Sequence, residues 1–100
     1  MWNTANTPQR PNSLRLGQLV ATPGAIHAMA AAGQDPAELL ARHRSGDWGE
    51  VPPEDWQANN DALLVGNRVL SAYLLKDGTR LWVITEADRS VTTILLPDEY

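Results

Sequence analysis

His43-Arg44-Ser45-Gly46-Asp47-Trp48-Gly49 gathers a titratable ring, a cation, a carboxylate and an indole N–H into one short stretch. Imidazole titrates near neutral pH and is the usual proton carrier in catalysis, and Asp47 is close enough in sequence to orient it. The same residues have a structural reading: His43 and Arg44 complement a helix C-terminus while Asp47 and Trp48 organise the turn after it. A second cluster runs from Thr85 to Thr93 and holds Glu86, Asp88, Arg89, Ser90 and Thr92. Arg89 and the hydroxyls suit a phosphate or another polar ligand, with Glu86 or Asp88 as acid or base. Its structural reading is a turn in which Asp88 accepts backbone amides, Arg89 pairs with Glu86 or Asp88, and the threonines serve as strand residues. Neither cluster matches a signature of known chemistry.

Composition narrows the chemistry. With 100 residues and no cysteine, one domain is expected, and disulfides, thiolate zinc sites and cysteine nucleophiles are excluded. His27 and His43 lack the i, i+4 spacing of a helical ligand pair, so neither a metal site nor a cofactor is expected. The formal charge of −4 opposes tight binding to a phosphate backbone and favours a protein partner or mimicry of a polyanion. Trp48 and Trp56 read as core or helix-lid residues, because the basic track that accompanies base-stacking platforms is missing. Met1 to Asn12 has neither the basic start nor the apolar core of a signal peptide and reads as a disordered tail before a single domain over 13–100. No apolar run reaches the roughly 20 residues of a membrane helix, so a cytoplasmic protein is expected.

These clusters must be held by an α+β fold: a short N-terminal strand, three helices and a three-stranded antiparallel β-meander. Leu14 to Val20 alternates loosely as a strand, and Thr22 caps a helix that opens on Pro23 and stops near Gly33. Asp35-Pro36-Ala37-Glu38 starts a second helix in a capping-box arrangement and Gly46 ends it. Pro53-Glu54-Asp55 starts a third, which Gly66 closes. From Arg68 the hydrophobic period changes to 2, giving strands over Arg68–Leu75, Arg80–Thr85 and Val91–Leu96. Asp77-Gly78 predicts a two-residue type I′ loop that pairs Tyr73 with Trp82. One sheet face then carries Val69, Ser71, Tyr73, Trp82 and Ile84, too apolar for free exposure, so it is expected to be covered by the amino-terminal segment, by a partner or, as a homodimer, by a second copy.

The segments Arg42-His43-Arg44-Ser45-Gly46-Asp47-Trp48-Gly49, Leu70-Ser71-Ala72-Tyr73 and Trp82 through Ser90, with Leu96-Pro97-Asp98-Glu99-Tyr100, carry a resemblance. Together they resemble a group of short, uncharacterised bacterial proteins of plasmids and other mobile elements, over about Leu14 to Tyr100. The resemblance implies a bacterial, mobile-element setting and assigns no activity. In topology alone the chain is also similar to the barnase–EndoU–RelE-like ribonucleases, from whose pattern its acidic charge departs.

Two functions are therefore expected. One is a small acidic interaction protein of a bacterial mobile element, an inhibitor or modulator of a host or defence protein, binding through Trp48, Tyr73, Trp82, Glu86, Asp88 and Arg89. The alternative is a metal-independent ribonuclease with His43 as general acid or base, Asp47 orienting it, Arg89 or Arg80 on phosphate, and Thr92 or Thr93 in support. Under either one, removing His43, Asp47 or Arg89 is expected to cost little stability, about 1 kcal/mol each.

Overall fold

Each helix begins where an extended residue is followed at once by proline, whose fixed φ suits the first helical position and whose missing N–H is one the helix does not use. In a computed structural model that describes residues 14–100, these are α1 (Pro23–Ala32), α2 (Pro36–Arg44) and α3 (Pro53–Val65). The stretch read as a tail, Met1 to Asn12, lies outside the described residues. Thr22 Oγ1 accepts the Ala25 amide at 3.1 Å, and Asp35 Oδ1 accepts the Ala37 amide at 2.9 Å. Glu38, expected to reach back to Asp35, instead accepts from the Gln34 side chain at 2.9 Å. Gly33 and Gly66 close α1 and α3 in the left-handed conformation, whereas α2 ends at Ser45, one residue before the expected Gly46. No helix of the described residues is long and apolar enough to cross a membrane.

The sheet has four strands, β1 (Gln18–Ala21), β2 (Val69–Leu74), β3 (Arg80–Thr85) and β4 (Val91–Leu95), in the order β1-β4-β3-β2. The last three form the expected antiparallel meander. The expected separate amino-terminal strand is instead part of the same sheet, parallel to β4, so the sheet is mixed. It starts later than the expected Leu14, because the chain kinks at Gly17 with φ 65°, where a Cβ would lie 2.4 Å from the carbonyl oxygens of Arg89 and Ser90.

The β2–β3 loop has three residues, not two. Leu75 N donates to Thr79 O at 2.8 Å and Gly78 N to Leu75 O at 2.9 Å, leaving Lys76, Asp77 and Gly78 in the turn. Only Gly78 takes positive φ, 87°, whereas a type I′ loop requires it at Asp77 as well. Asp77 contributes its carboxylate instead, accepting Thr79 N at 3.0 Å. One extra loop residue slips the register by one, so Tyr73 faces Leu81 and Ala72 faces Trp82. Because strand side chains alternate, the slip sends every β3 residue to the opposite face from the one expected. Tyr73 and Trp82 therefore share no face, and the homodimer surface expected from their union does not exist.

The inner face carries Val69, Ser71, Tyr73, Leu81, Val83, Thr85, Thr92 and Ile94, all buried. Ala25 and Met29 of α1 and Leu39 of α2 pack on its centre, and Leu14, Trp48 and Ala62 gather around Val69. The β2 edge is closed in two ways. Asn59 of α3 donates to Leu70 O at 2.7 Å and accepts from Leu70 N at 3.2 Å, and the backbone of Trp48 and Glu50 bonds both polar groups of Ala72.

A Cβ on Gly78 would meet no atom within 4 Å, so a substitution there is opposed by the dihedral alone. Gly78→Val is expected to lose about 1–2 kcal/mol, the cost of holding a β-branched residue at positive φ. Chemical denaturation checks it: the midpoint should fall at unchanged slope.

Candidate functional site

His43, on the inward side of the last turn of α2, is completely buried and lies between two strands. Its Nδ1 is 2.6 Å from Ser71 Oγ on β2, and its Nε2 is 2.8 Å from Thr85 Oγ1 on β3. Thr85 Oγ1 lies 2.7 Å from Thr92 Oγ1 on β4, which in turn is 2.7 Å from the carbonyl oxygen of Leu16. A carbonyl only accepts, so Thr92 spends its proton on Leu16. Thr85 must then donate to Thr92, His43 Nε2–H to Thr85, and Ser71 to an unprotonated Nδ1. For a neutral ring this is the one orientation that satisfies the whole chain, and it is the Nε2–H tautomer. Burial, reinforced by the positive charge of Arg89, pushes the imidazole down to about 4. A proton carrier at neutral pH needs a higher value and a path to solvent. Here the ring has neither, with the edge of Trp48 at 5.7 Å closing its flank.

Asp47 does not orient His43. Its carboxylate binds Arg42 at 2.7 Å and the Gly49 amide at 3.1 Å, and the Arg42 bond holds it below the usual carboxylate range. Arg42 lies over the Tyr73 ring, 4.4 Å from its centre, and the Tyr73 hydroxyl donates to the Asp47 carbonyl at 2.6 Å. Burial pushes that phenol up to about 12. Trp48 is likewise fully buried and donates through its indole to Asn60 at 2.9 Å. Trp48, read in the sequence both as a core or helix-lid residue and as a binding residue, and Tyr73, read as a binding residue, are thus core residues.

In the second cluster, Arg89 takes the left-handed φ of 62°, alone among the described residues other than glycine. Its guanidinium donates to the carbonyls of Ala62 at 3.0 Å, Asn67 at 2.7 Å and Glu86 at 3.2 Å. Since α3 has no basic residue in its last turn, Arg89 supplies the cation its C-terminus lacks. The ion pair expected with Glu86 or Asp88 is replaced by carbonyl contacts. Asp88 accepts Ser90 N at 3.0 Å, as expected of a turn, and Glu86 stays exposed. Thr92 joins His43 through Thr85 inside the core, while the charged groups of the two clusters make no bond with each other.

Arg89→Ala leaves three carbonyls without their guanidinium donor and keeps the backbone strain, so about 2 kcal/mol of stability should go. Arg89→Gly relieves the strain and should recover about 1 kcal/mol of that loss. Parallel denaturation of the two variants checks the difference; equal midpoints would place the effect elsewhere.

A further aromatic and arginine cluster lies on the outer side of the sheet. Trp82 is half-buried there and meets the Tyr100 ring edge-on at 5.7 Å, while Arg68 lies over that ring and donates to its hydroxyl. Arg68 and Leu70 line a cleft of about 250 Å³ with Asp55, Ala58 and Asn59 of α3. Glu99 secures this end of the chain by accepting from Thr22 Oγ1, from Gly24 N at 3.2 Å and from Leu96 N at 2.8 Å. Sequence reading missed Ser71 and grouped Thr85 with Arg89 instead of His43, since only the correct hairpin register places both under the ring, and it missed Arg68 and Tyr100, which are 32 positions apart. Among the described residues no group of His, Asp and Glu could hold a metal ion. Compared with protein-family models, curated proteins and solved structures, the chain matches none.

Proposed function

We propose that this chain is a small acidic protein-binding module of a bacterial mobile element, an inhibitor or modulator of a host or defence protein. The observation that carries the proposal is a contrast in exposure. His43, the residue a metal-independent ribonuclease would need, is sealed in the core, while an aromatic and arginine cluster, Trp82, Tyr100 and Arg68, stays at the surface beside a cleft. Trp, Tyr and Arg are the side chains that most often carry binding energy in protein interfaces. The charge of −4 favours a basic partner surface and opposes a polyanionic substrate. The setting rests on the resemblance to plasmid-related proteins.

Affinity capture from the bacterial host, run beside an RNA-cleavage assay, tests the reading. Wild type should retain a specific protein that Trp82→Ala and Arg68→Glu lose while remaining folded, and it should leave RNA intact. RNA cleavage by wild type, lost in a folded His43→Gln variant, would replace this reading with the ribonuclease.

A further inference from the structure

The two edges of the sheet are treated differently. At β2, Asn59 and the Trp48–Glu50 backbone occupy the outward polar groups of Leu70 and Ala72. At β1, Gln18 N donates to Ser90 O at 2.9 Å and Thr22 N to Ile94 O at 3.0 Å, so alternate residues face β4. Leu19 and Ala21, between them, turn their N–H and C=O groups away from the sheet, and no bond to another described residue uses those groups. The strand carries no charge and no proline, the devices that normally blunt an edge, and Leu19 and Val20 are 53% and 39% exposed.

We propose that the β1 edge pairs with the β1 edge of a second copy of this chain, antiparallel about a two-fold axis at Val20. The occupant follows from the edge itself. An antiparallel pair exchanges both bonds between facing residues at alternate positions, so Leu19 of each copy can face Ala21 of the other. That register uses the outward groups of both residues and gives about four bonds. A register shifted toward the start would need Gly17, which is kinked at φ 65°, and one shifted toward the end would need Pro23, which has no N–H. In the favoured register the Val20 side chains meet on the axis and Leu19 covers Ala21 of the other copy. Both edges are uncharged, so the net −4 of each copy is not concentrated at the contact. The result is one continuous sheet across two molecules, a closed two-fold arrangement.

Sedimentation velocity of the full chain over a concentration series, with hydrogen exchange at the Leu19 and Ala21 amides, tests this. Wild type should pass from monomer to dimer as concentration rises, and both amides should become protected in step. Leu19→Pro removes an N–H that no other described residue uses, and Val20→Lys puts like charges face to face on the axis. Each should weaken the dimer at least tenfold while leaving the circular-dichroism spectrum unchanged. A chain that stays monomeric throughout, with or without protected amides, overturns the proposal; so does a dimer that survives both substitutions in folded protein.

Discussion

His43→Ala is expected to destabilise the domain by about 3–5 kcal/mol, several times the loss that the sequence suggests for a helix-end histidine. The substitution empties a ring-sized space in a close-packed interior and leaves Ser71 and Thr85 without their partner, far from water. A lost cavity contact and an unsatisfied buried hydroxyl each cost of the order of 1–3 kcal/mol, and here they occur together. The same ring sets a pH dependence. Its folded value of about 4 lies below the ordinary 6.5, so between these the unfolded chain binds the extra proton. Stability is therefore fully present above about pH 6.5 and falls as the pH drops toward 4, by a total on the order of 3 kcal/mol. Asp47 and Glu99, whose carboxyls are held low by their bonds to Arg42 and Thr22, lose their contributions only at lower pH. Urea midpoints measured from pH 7.5 to 4 check the window, and a folded His43→Gln variant should flatten it.

Gly49→Ala is expected to be at least as damaging. Gly49 sits at φ 76°, and a Cβ there would fall 2.1 Å from the Ala72 carbonyl oxygen and 2.7 Å from the Tyr73 ring. The carbonyl is fixed by its bond to Glu50 N at 2.7 Å and the ring is in the core, so neither yields cheaply. Relief requires the loop to leave the β2 edge, with loss of the Ala72 bonds and disturbance of Trp48. Together the dihedral strain and the lost contacts amount to roughly 3 kcal/mol or more. The comparison with Gly78→Val is informative, because Gly78 has similar φ and open space: Gly49→Ala should shift the denaturation midpoint much further even though alanine is the smaller residue.

Local chemistry was legible in the sequence. Thr22-Pro23, Asp35-Pro36 and Pro53 mark the helix starts because capping depends on neighbouring residues, and Gly33 and Gly66 mark two of the ends. Position along β2 and β3 was nearly right, but their register was not. Asp-Gly serves both a two-residue type I′ loop and the end of a three-residue loop, and one residue decides which face Trp82 occupies. The parallel partnership of β1 with β4 joins segments 73 positions apart, as in Gln18 with Val91, with the helices intervening, and nothing local encodes it. The candidate site failed for the same reason: His43 looked free to act because Ser71, Thr85 and Thr92 meet it only through long-range packing.

Whether His43 is a neutral structural hub or an acid–base group can be read from its imidazole nitrogens by NMR across a pH titration. A neutral hub carries a proton on Nε2 and none on Nδ1, and it should not titrate until the pH falls toward about 4. Titration near 6.5 in the folded protein, or a proton on Nδ1 at neutral pH, would contradict it.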